Sequence, residues 1–220
     1  MHGVILAAGE GSRMGEQTAD VPKAFMKIEG RTLYERQRAA LEPYVDDLMV
    51  VLGYQHETVI ERFEPRRTVI VESWDEHDNA ESLYRALDCI EDDDVFVLNG
   101  DVVVTSRAVD RVFRCHESVG ENVVGYLAGL QDEHTAIRLD QEGRVLEYGM
   151  VRGQRHAGLG IIDSGYVDAA ATHLRDNRSE WYPSVYEALP TRGVAISRAD
   201  HLEINRPRDH RAAKERLPLS

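Results

Sequence analysis

The sequence is poor in lysine. Lys23, Lys27 and Lys214 are the only lysines among 26 basic residues, set against 39 acidic ones for a formal net charge of −13. So acidic a chain would repel a phosphodiester backbone, which argues against a nucleic-acid partner and still allows a small phosphate to bind locally. Cysteine is scarce too: Cys89 and Cys115 lie in apolar stretches of helical pattern, which suits a reducing compartment, by default the cytoplasm, better than a disulfide framework. No run of about 18 apolar residues occurs, and the start carries no basic segment leading into an apolar one, so neither a membrane span nor a secretion signal is expected. The bias of arginine over lysine on an acidic surface resembles proteins of salt-loving archaea, and a GC-rich coding sequence writes the same bias.

What is present reads as an α/β protein. Its 220 residues suffice for a core that needs no disulfide or structural metal. With no repeat, no low-complexity linker and no break in composition, a single domain over residues 1–220 is expected, without a second catalytic or left-handed helical domain. Short apolar runs at Gly3–Ala8, Leu48–Gly53 and Val95–Leu98 read as buried strands. Between and after them lie helical patterns at Thr32–Tyr44, opened by the capping box Thr32-Leu-Tyr-Glu35, and at Asn79–Ile90 and Ser106–Glu117. After residue 120 the texture turns β-rich, with strands expected at Asn122–Leu130, Ala136–Leu139 and Arg144–Tyr148 around a Gln141-Glu-Gly143 turn, as a hairpin appended to the sheet. A buried strand is expected over Ala157–Asp163, two helices over Tyr166–Leu189, and a final helix from Pro207.

The most informative segment is Leu6-Ala-Ala-Gly-Glu-Gly-Ser-Arg-Met-Gly15, directly after the first strand. Glycines there let the backbone approach a phosphate closely, and successive N–H groups can point at the anion. It is not a P-loop, because no Gly-Lys-Ser/Thr closes it. Nor is it the dinucleotide fingerprint, since Met14 stands where the third glycine belongs. Arg13 within the loop and Pro22-Lys23 after it add two cations at a strand end, which suits a triphosphate.

This string resembles the signature of nucleotidyltransferases that join a nucleoside triphosphate to a phosphorylated small molecule, a family that includes sugar-1-phosphate, phosphocholine and inositol-phosphate members. The resemblance runs in chain order from residue 3 to about 211. It implies a Rossmann-like three-layer αβα sandwich with a mixed, mostly parallel sheet and a β-hairpin insertion. On the matching positions it places nucleotide binding at Leu6, Ala7, Ala8, Gly9, Gly11, Ser12, Arg13 and Lys23, with Arg13, Lys23 and Asp101 catalytic. A homodimer is left open.

Leu98-Asn-Gly-Asp101 ends a buried strand in a carboxylate, a hard oxygen ligand that can hold Mg²⁺ against phosphate oxygens. In the family the aspartate of the corresponding Gly-Asp is the metal ligand. The late segment Leu202-Glu-Ile-Asn205 resembles the one that returns a second ligand, which implies Asn205, with Glu203 as the other candidate; Asn205 could equally serve the helix that follows it. Asp92-Asp-Asp94 has D-x-D spacing but precedes its strand, so a solvated acidic turn is expected there.

Asn79 and Ser82, in a stretch similar to one beside the nucleotide in phosphocholine-type cytidylyltransferases, favour CTP; Asn79 is also a fitting helix cap. For the acceptor, Leu146-Glu-Tyr-Gly149 replaces the Glu-Lys-Pro element of sugar-phosphate members, so the candidates become Glu147, Arg152, Arg155 and Trp181. Trp181, Tyr182, Tyr186, Tyr126 and Tyr148 could line a pocket, though the helical spacing of Tyr182 and Tyr186 favours core packing. The reaction that the resemblance implies is Mg²⁺-dependent transfer of a nucleoside monophosphate, CMP first, with pyrophosphate leaving and no general base. UTP- or GTP-using transfer to a sugar phosphate or cofactor is the alternative. A non-catalytic nucleotide-binding subunit and a glycosyltransferase are the rivals.

Overall fold

A computed structural model describes residues 1–216, including every side chain except those of residues 16, 17 and 130–135. Its centre is a seven-stranded sheet of order β10-β8-β9-β6-β1-β4-β5, built from β1 (His2–Ala7), β4 (Asp47–Leu52), β5 (Arg67–Ile70), β6 (Val95–Asn99), β8 (Asn122–Leu139), β9 (Val145–Ile162) and β10 (Thr191–Ile196). β1 pairs in parallel with β4 and β6, β4 with β5, and β8 with β10, whereas β9 runs antiparallel to both β6 and β8. Two small antiparallel pairs stand beside it: β2 (Lys27–Ile28) with β3 (Arg31–Thr32), and β7 (Val102–Val104) with β11 (His201–Glu203).

Successive strand residues face opposite layers, and both layers are dry. Ile5, Val50, Leu52, Phe96 and Leu98 pack toward α1 (Leu33–Leu41), α2 (His56–Phe63) and α4 (Ser106–Val119). Val4, Met49, Val51, Val95 and Val97 pack toward α3 (Asn79–Leu87), α5 (Val167–Asp176) and α6 (Val185–Ala188). Burial on both faces is why these strands read as unbroken apolar runs. The expected three-layer αβα sandwich is therefore what forms, and among the described residues no helix is long and apolar enough to cross a membrane.

Local chemistry sets the helix starts. Thr32 accepts the Glu35 N–H at 3.0 Å and the Glu35 carboxylate accepts the Thr32 N–H at 2.6 Å, so the expected capping box is made. α3 is capped by Asp78, whose carboxylate accepts the Asn79 N–H at 2.8 Å; Asn79 is the first helical residue and not the cap. α7 runs Pro207–Arg216, as the proline required. Cys89 is exposed just beyond α3, Cys115 is half-buried on α4, and neither is in a disulfide.

Two expectations are refined. The strands expected after residue 120 form, and they join into the two 18-residue strands β8 and β9, whose hairpin is continuous with the sheet. Register shifts within the pair bend this ribbon so that Ile137, Leu139 and Val145 join the apolar layer of α3, α5 and α6. Gly153 permits the bend, because a Cβ there would lie 2.4 Å from the Ile137 carbonyl oxygen. The second helix expected before Leu189 is only the four-residue α6, preceded by a tight turn at Tyr182–Ser184.

Candidate active site

The loop after β1 and the ends of β6 and α3 enclose a cleft of about 280 Å³ at the carboxyl ends of the parallel strands, where open α/β sheets bind ligands. Leu6, Ala7, Ala8, Gly9, Gly11, Arg13, Lys23, Asn79, Ser82 and Asp101 all line it, whereas Ser12 points to solvent at the start of a 3-10 turn. Gly11 adopts φ 71°, and a Cβ on it would stand 2.8 Å from Lys23 Cγ, so the glycine lets the lysine stem lie across the loop. Nothing lies within 4 Å of a Cβ built on Gly9, so the backbone there faces open cleft.

Lys23 is the centre of the polar array. Its Nζ donates to Asp101 Oδ2 at 3.0 Å and to Asn205 Oδ1 at 2.9 Å, so the two residues named as metal ligands both hold this ammonium. The Ile204 N–H donates to the Asp101 carbonyl at 2.9 Å, which is what carries Asn205 to the end of β6. The Asn205 amide donates to Glu203, and Glu203 in turn pairs with Arg155. Two oxygen-bearing side chains thus hold a cation of this chain's own, and Glu203 braces the second of them.

A second, larger cleft of about 1150 Å³ opens from the first and shares Arg13, Asp78, Asn79, Asn99 and Asp101 with it. Arg155 and Trp181 line this space, together with Arg198, Arg206 and Arg208. Trp181 is anchored by Nε1 donating to Asp78 Oδ2 at 2.8 Å, and Asn79 Oδ1 accepts the Tyr182 N–H at 2.7 Å. Asn79 is left with its amide N–H groups to offer. Glu147 pairs with Arg138 on the hairpin, at 2.6 Å, and neither it nor the exposed Arg152 lines either cleft.

A family model of the MobA-like NTP transferase domain matches residues 3–154. The chain belongs to this family. In sequence the chain is 28% identical over 220 residues to the bifunctional protein GlmU of Francisella philomiragia, covering 91% of this chain and 45% of that protein. It is 27% identical over 174 residues to the 2-aminoethylphosphonate cytidylyltransferase of Lancefieldella rimae, covering 76% of this chain and 68% of the relative. Among solved structures, the CTP:phosphocholine cytidylyltransferase of Streptococcus pneumoniae superposes with a TM-score of 0.80 at 17% identity over 99% of each chain, a likeness of fold.

Two features of this NTP transferase domain had no sequence signal. Trp74, half-buried in the turn between β5 and α3, lines the smaller cleft and packs on Gly53, where a Cβ would stand 2.5 Å from Trp74 Cβ. His156 lines the larger one within a cage of Tyr148, Tyr182 and Tyr186, its ring centroid 5.8 Å from that of Tyr182. Tyr182 and Tyr186 are fully buried, so these rings pack on one another as core and do not form an open box for a cation. Burial pushes the His156 imidazole down to about 3 and that of His201, which also lines this cleft, down to about 4. Both are neutral at pH 7, so the permanent cations of the clefts are Lys23 and the arginines.

Proposed function

We propose that this chain is a nucleotidyltransferase of the cytidylyltransferase type, moving CMP from CTP to the phosphate of a small phosphorylated acceptor and releasing pyrophosphate. One observation carries the reading: Arg13, Lys23, Asp101 and Asn205 converge where the smaller, loop-walled cleft meets the larger, arginine-lined one. That geometry suits a triphosphate in the first cleft and an acceptor phosphate in the second, with the α-phosphorus at their junction. The names of the Lancefieldella relative and the pneumococcal structure support cytidine as the base. The amide N–H of Asn79 suits cytosine, whose O2 and N3 both accept, and Trp74 offers a ring face to the base.

The chain's residues do mainly positioning and charge neutralisation. The loop N–H groups and Arg13 hold the β- and γ-phosphates, which leave together as pyrophosphate. Arg155 and its arginine neighbours bring in the acceptor phosphate, whose oxygen forms a bond to the α-phosphorus as the bond to the bridging oxygen of pyrophosphate breaks. The attacking phosphate is already ionised near neutral pH, so no side chain has to take a proton. Lys23 offsets the charge growing on the α-phosphate oxygens.

Mg²⁺ fits this donor set: the carboxylate of Asp101 and the amide oxygen of Asn205 are hard ligands already gathered around a cation, with the Glu203 carboxylate hydrogen-bonded beside them. Asp101 and Asn205 would hold it, and the ion would supply neutralisation of phosphate charge. The test is pyrophosphate release in Mg²⁺ and high KCl, with CTP, UTP, GTP, ATP and dTTP each crossed against phosphocholine, inositol phosphate, other phospho-alcohols and sugar-1-phosphates. Turnover with CTP and one phospho-alcohol is expected. Turnover only with UTP or GTP and a sugar phosphate would replace the cytidylyl reading, and triphosphate binding without turnover in any pair would favour a non-catalytic subunit.

A further inference from the structure

The Asp92-Asp-Asp94 segment lies at the opposite end of β6 from Asp101, roughly 20 Å away by the rise of an extended chain. It is more than an acidic turn. Asp94 meets His116 of α4 and Asp163, the residue after β9, so that one ligand atom from each lies within 4.8 Å of the other two.

The hydrogen bonding at His116 shows what this cluster needs. The imidazole is 6% exposed. Its Nδ1 faces the Glu121 carbonyl at 3.0 Å, and a carbonyl can only accept, so Nδ1 carries the proton. That turns Nε2 into the cluster, where it faces Asp94 Oδ2 at 3.2 Å and where Asp163 brings the third ligand atom. Backbone groups hold both carboxylates in place: the Ser164 N–H donates to Asp94 Oδ1 at 2.8 Å, and the Gly165 N–H to Asp163 Oδ1 at 3.0 Å, which leaves the second oxygen of each for the cluster. A ligating histidine whose other nitrogen is fixed by a backbone carbonyl is the usual second-shell arrangement of a metal site.

We propose that Asp94, His116 and Asp163 bind a divalent transition ion of the Zn²⁺ or Co²⁺ class, with water completing the shell. One nitrogen and two oxygens suit such an ion better than Mg²⁺ or Ca²⁺, which prefer all-oxygen sets. The ion ties together the start of β6, the last turns of α4 and the end of β9. It stands apart from the nucleotide clefts and serves the fold rather than the transfer.

The test uses chelator-stripped full-length protein titrated with Zn²⁺ and, separately, with Co²⁺, reading bound metal per chain, the Co²⁺ visible bands and Tm. His116→Asn keeps a donor for the Glu121 carbonyl but deletes the ligating nitrogen, and Asp163→Asn keeps the contact with Gly165. Asp101→Asn serves as background, because it disables the ion site at the clefts. The expected result is one Zn²⁺ per chain in the parent and in Asp101→Asn, with Tm raised by about 5–10 °C at a hundredfold excess over Kd. Both His116→Asn and Asp163→Asn should lose the ion and the shift while keeping their transfer activity. Retention of the ion by either variant overturns the proposal. So does absence of binding in the parent.

Discussion

The proposed Mg²⁺ would compete with Lys23 for the same oxygens, and this makes Lys23→Met an informative perturbation. The Lys23 ammonium, 12% exposed, sits between Asp101 Oδ2 at 3.0 Å and Asn205 Oδ1 at 2.9 Å. An incoming ion must displace it from both. A hydrogen bond to a charged group is worth about 1.5–3 kcal/mol, so removing the ammonium should tighten Mg²⁺ binding to the free protein by about 10- to 100-fold. The same change removes a preorganised donor from the transferring phosphate, which typically costs about 2.7–4 kcal/mol, so turnover should fall by roughly 100-fold or more at saturating Mg²⁺. Tighter metal and slower chemistry in one variant is a combination that a merely misfolded protein does not show. Calorimetric titration with Mg²⁺, or Mn²⁺ as its paramagnetic stand-in, measures the first effect, and pyrophosphate release measures the second. A Lys23→Met protein with unchanged metal affinity would refute the competition, and near-normal turnover would remove Lys23 from the catalytic machinery.

Other outcomes follow from the same geometry. Asp101→Ala should lose Mg²⁺-dependent turnover altogether, and a variant whose residual activity still rises with Mg²⁺ would contradict the assignment. Trp74→Ala should raise KM for the triphosphate by about 5- to 100-fold, the equivalent of about 1–3 kcal/mol of base stacking, with kcat little changed; an unaltered KM would place the base elsewhere. Gly53→Ala sets a Cβ 2.5 Å from Trp74 Cβ and 2.8 Å from the Ala8 carbonyl oxygen, so it should cost about 1–3 kcal/mol and lower Tm measurably. Acid should also destabilise the fold. Unfolded imidazoles protonate near 6.5 while His156 and His201 resist to about 3 and about 4, so the unfolded chain binds more protons below pH 6.5 and stability is lost as pH falls. At pH 5 the loss is about 2 kcal/mol for each imidazole, and His201→Gln should flatten that limb of a Tm-versus-pH profile.

What was legible in the sequence was local. The strand at residues 2–7 announces itself by its apolar run, and the start of α1 by Thr32 and Glu35, because both depend on residues a few positions apart. The loop residues and Asp101 were legible for the same reason, each sitting at the end of a readable strand. The meeting of Lys23 with Asp101 and Asn205 spans separations of 78 and 182 residues and follows from the sheet order, which no spacing encodes. The strands expected after residue 120 map onto β8 and β9, but their joining into two long strands was not legible, because register shifts break the alternation on which strand reading depends. Trp74 belongs to no motif; its role comes from packing on a glycine twenty-one positions earlier. Asp94 was rightly set apart from the nucleotide loop, but its partners, His116 and Asp163, are visible only once α4 and β9 are in place.

The short pairing of β7 with β11 has a consequence for how the protein comes into being. Asp101 leaves the ribosome long before Asn205, and the antiparallel contact of Val102–Val104 with His201–Glu203, extended by the Ile204 N–H to Asp101 carbonyl bond, brings the late segment to the early one. Contacts of such long sequence separation close late, because loop-closure entropy must be overcome first. A nascent chain halted near residue 190 can hold the glycine loop and β6 in order, yet it lacks Asn205 and Glu203 opposite Lys23. Synthesis therefore delivers the glycine loop and β6 before Asn205 and Glu203, the residues that would complete the proposed ion site.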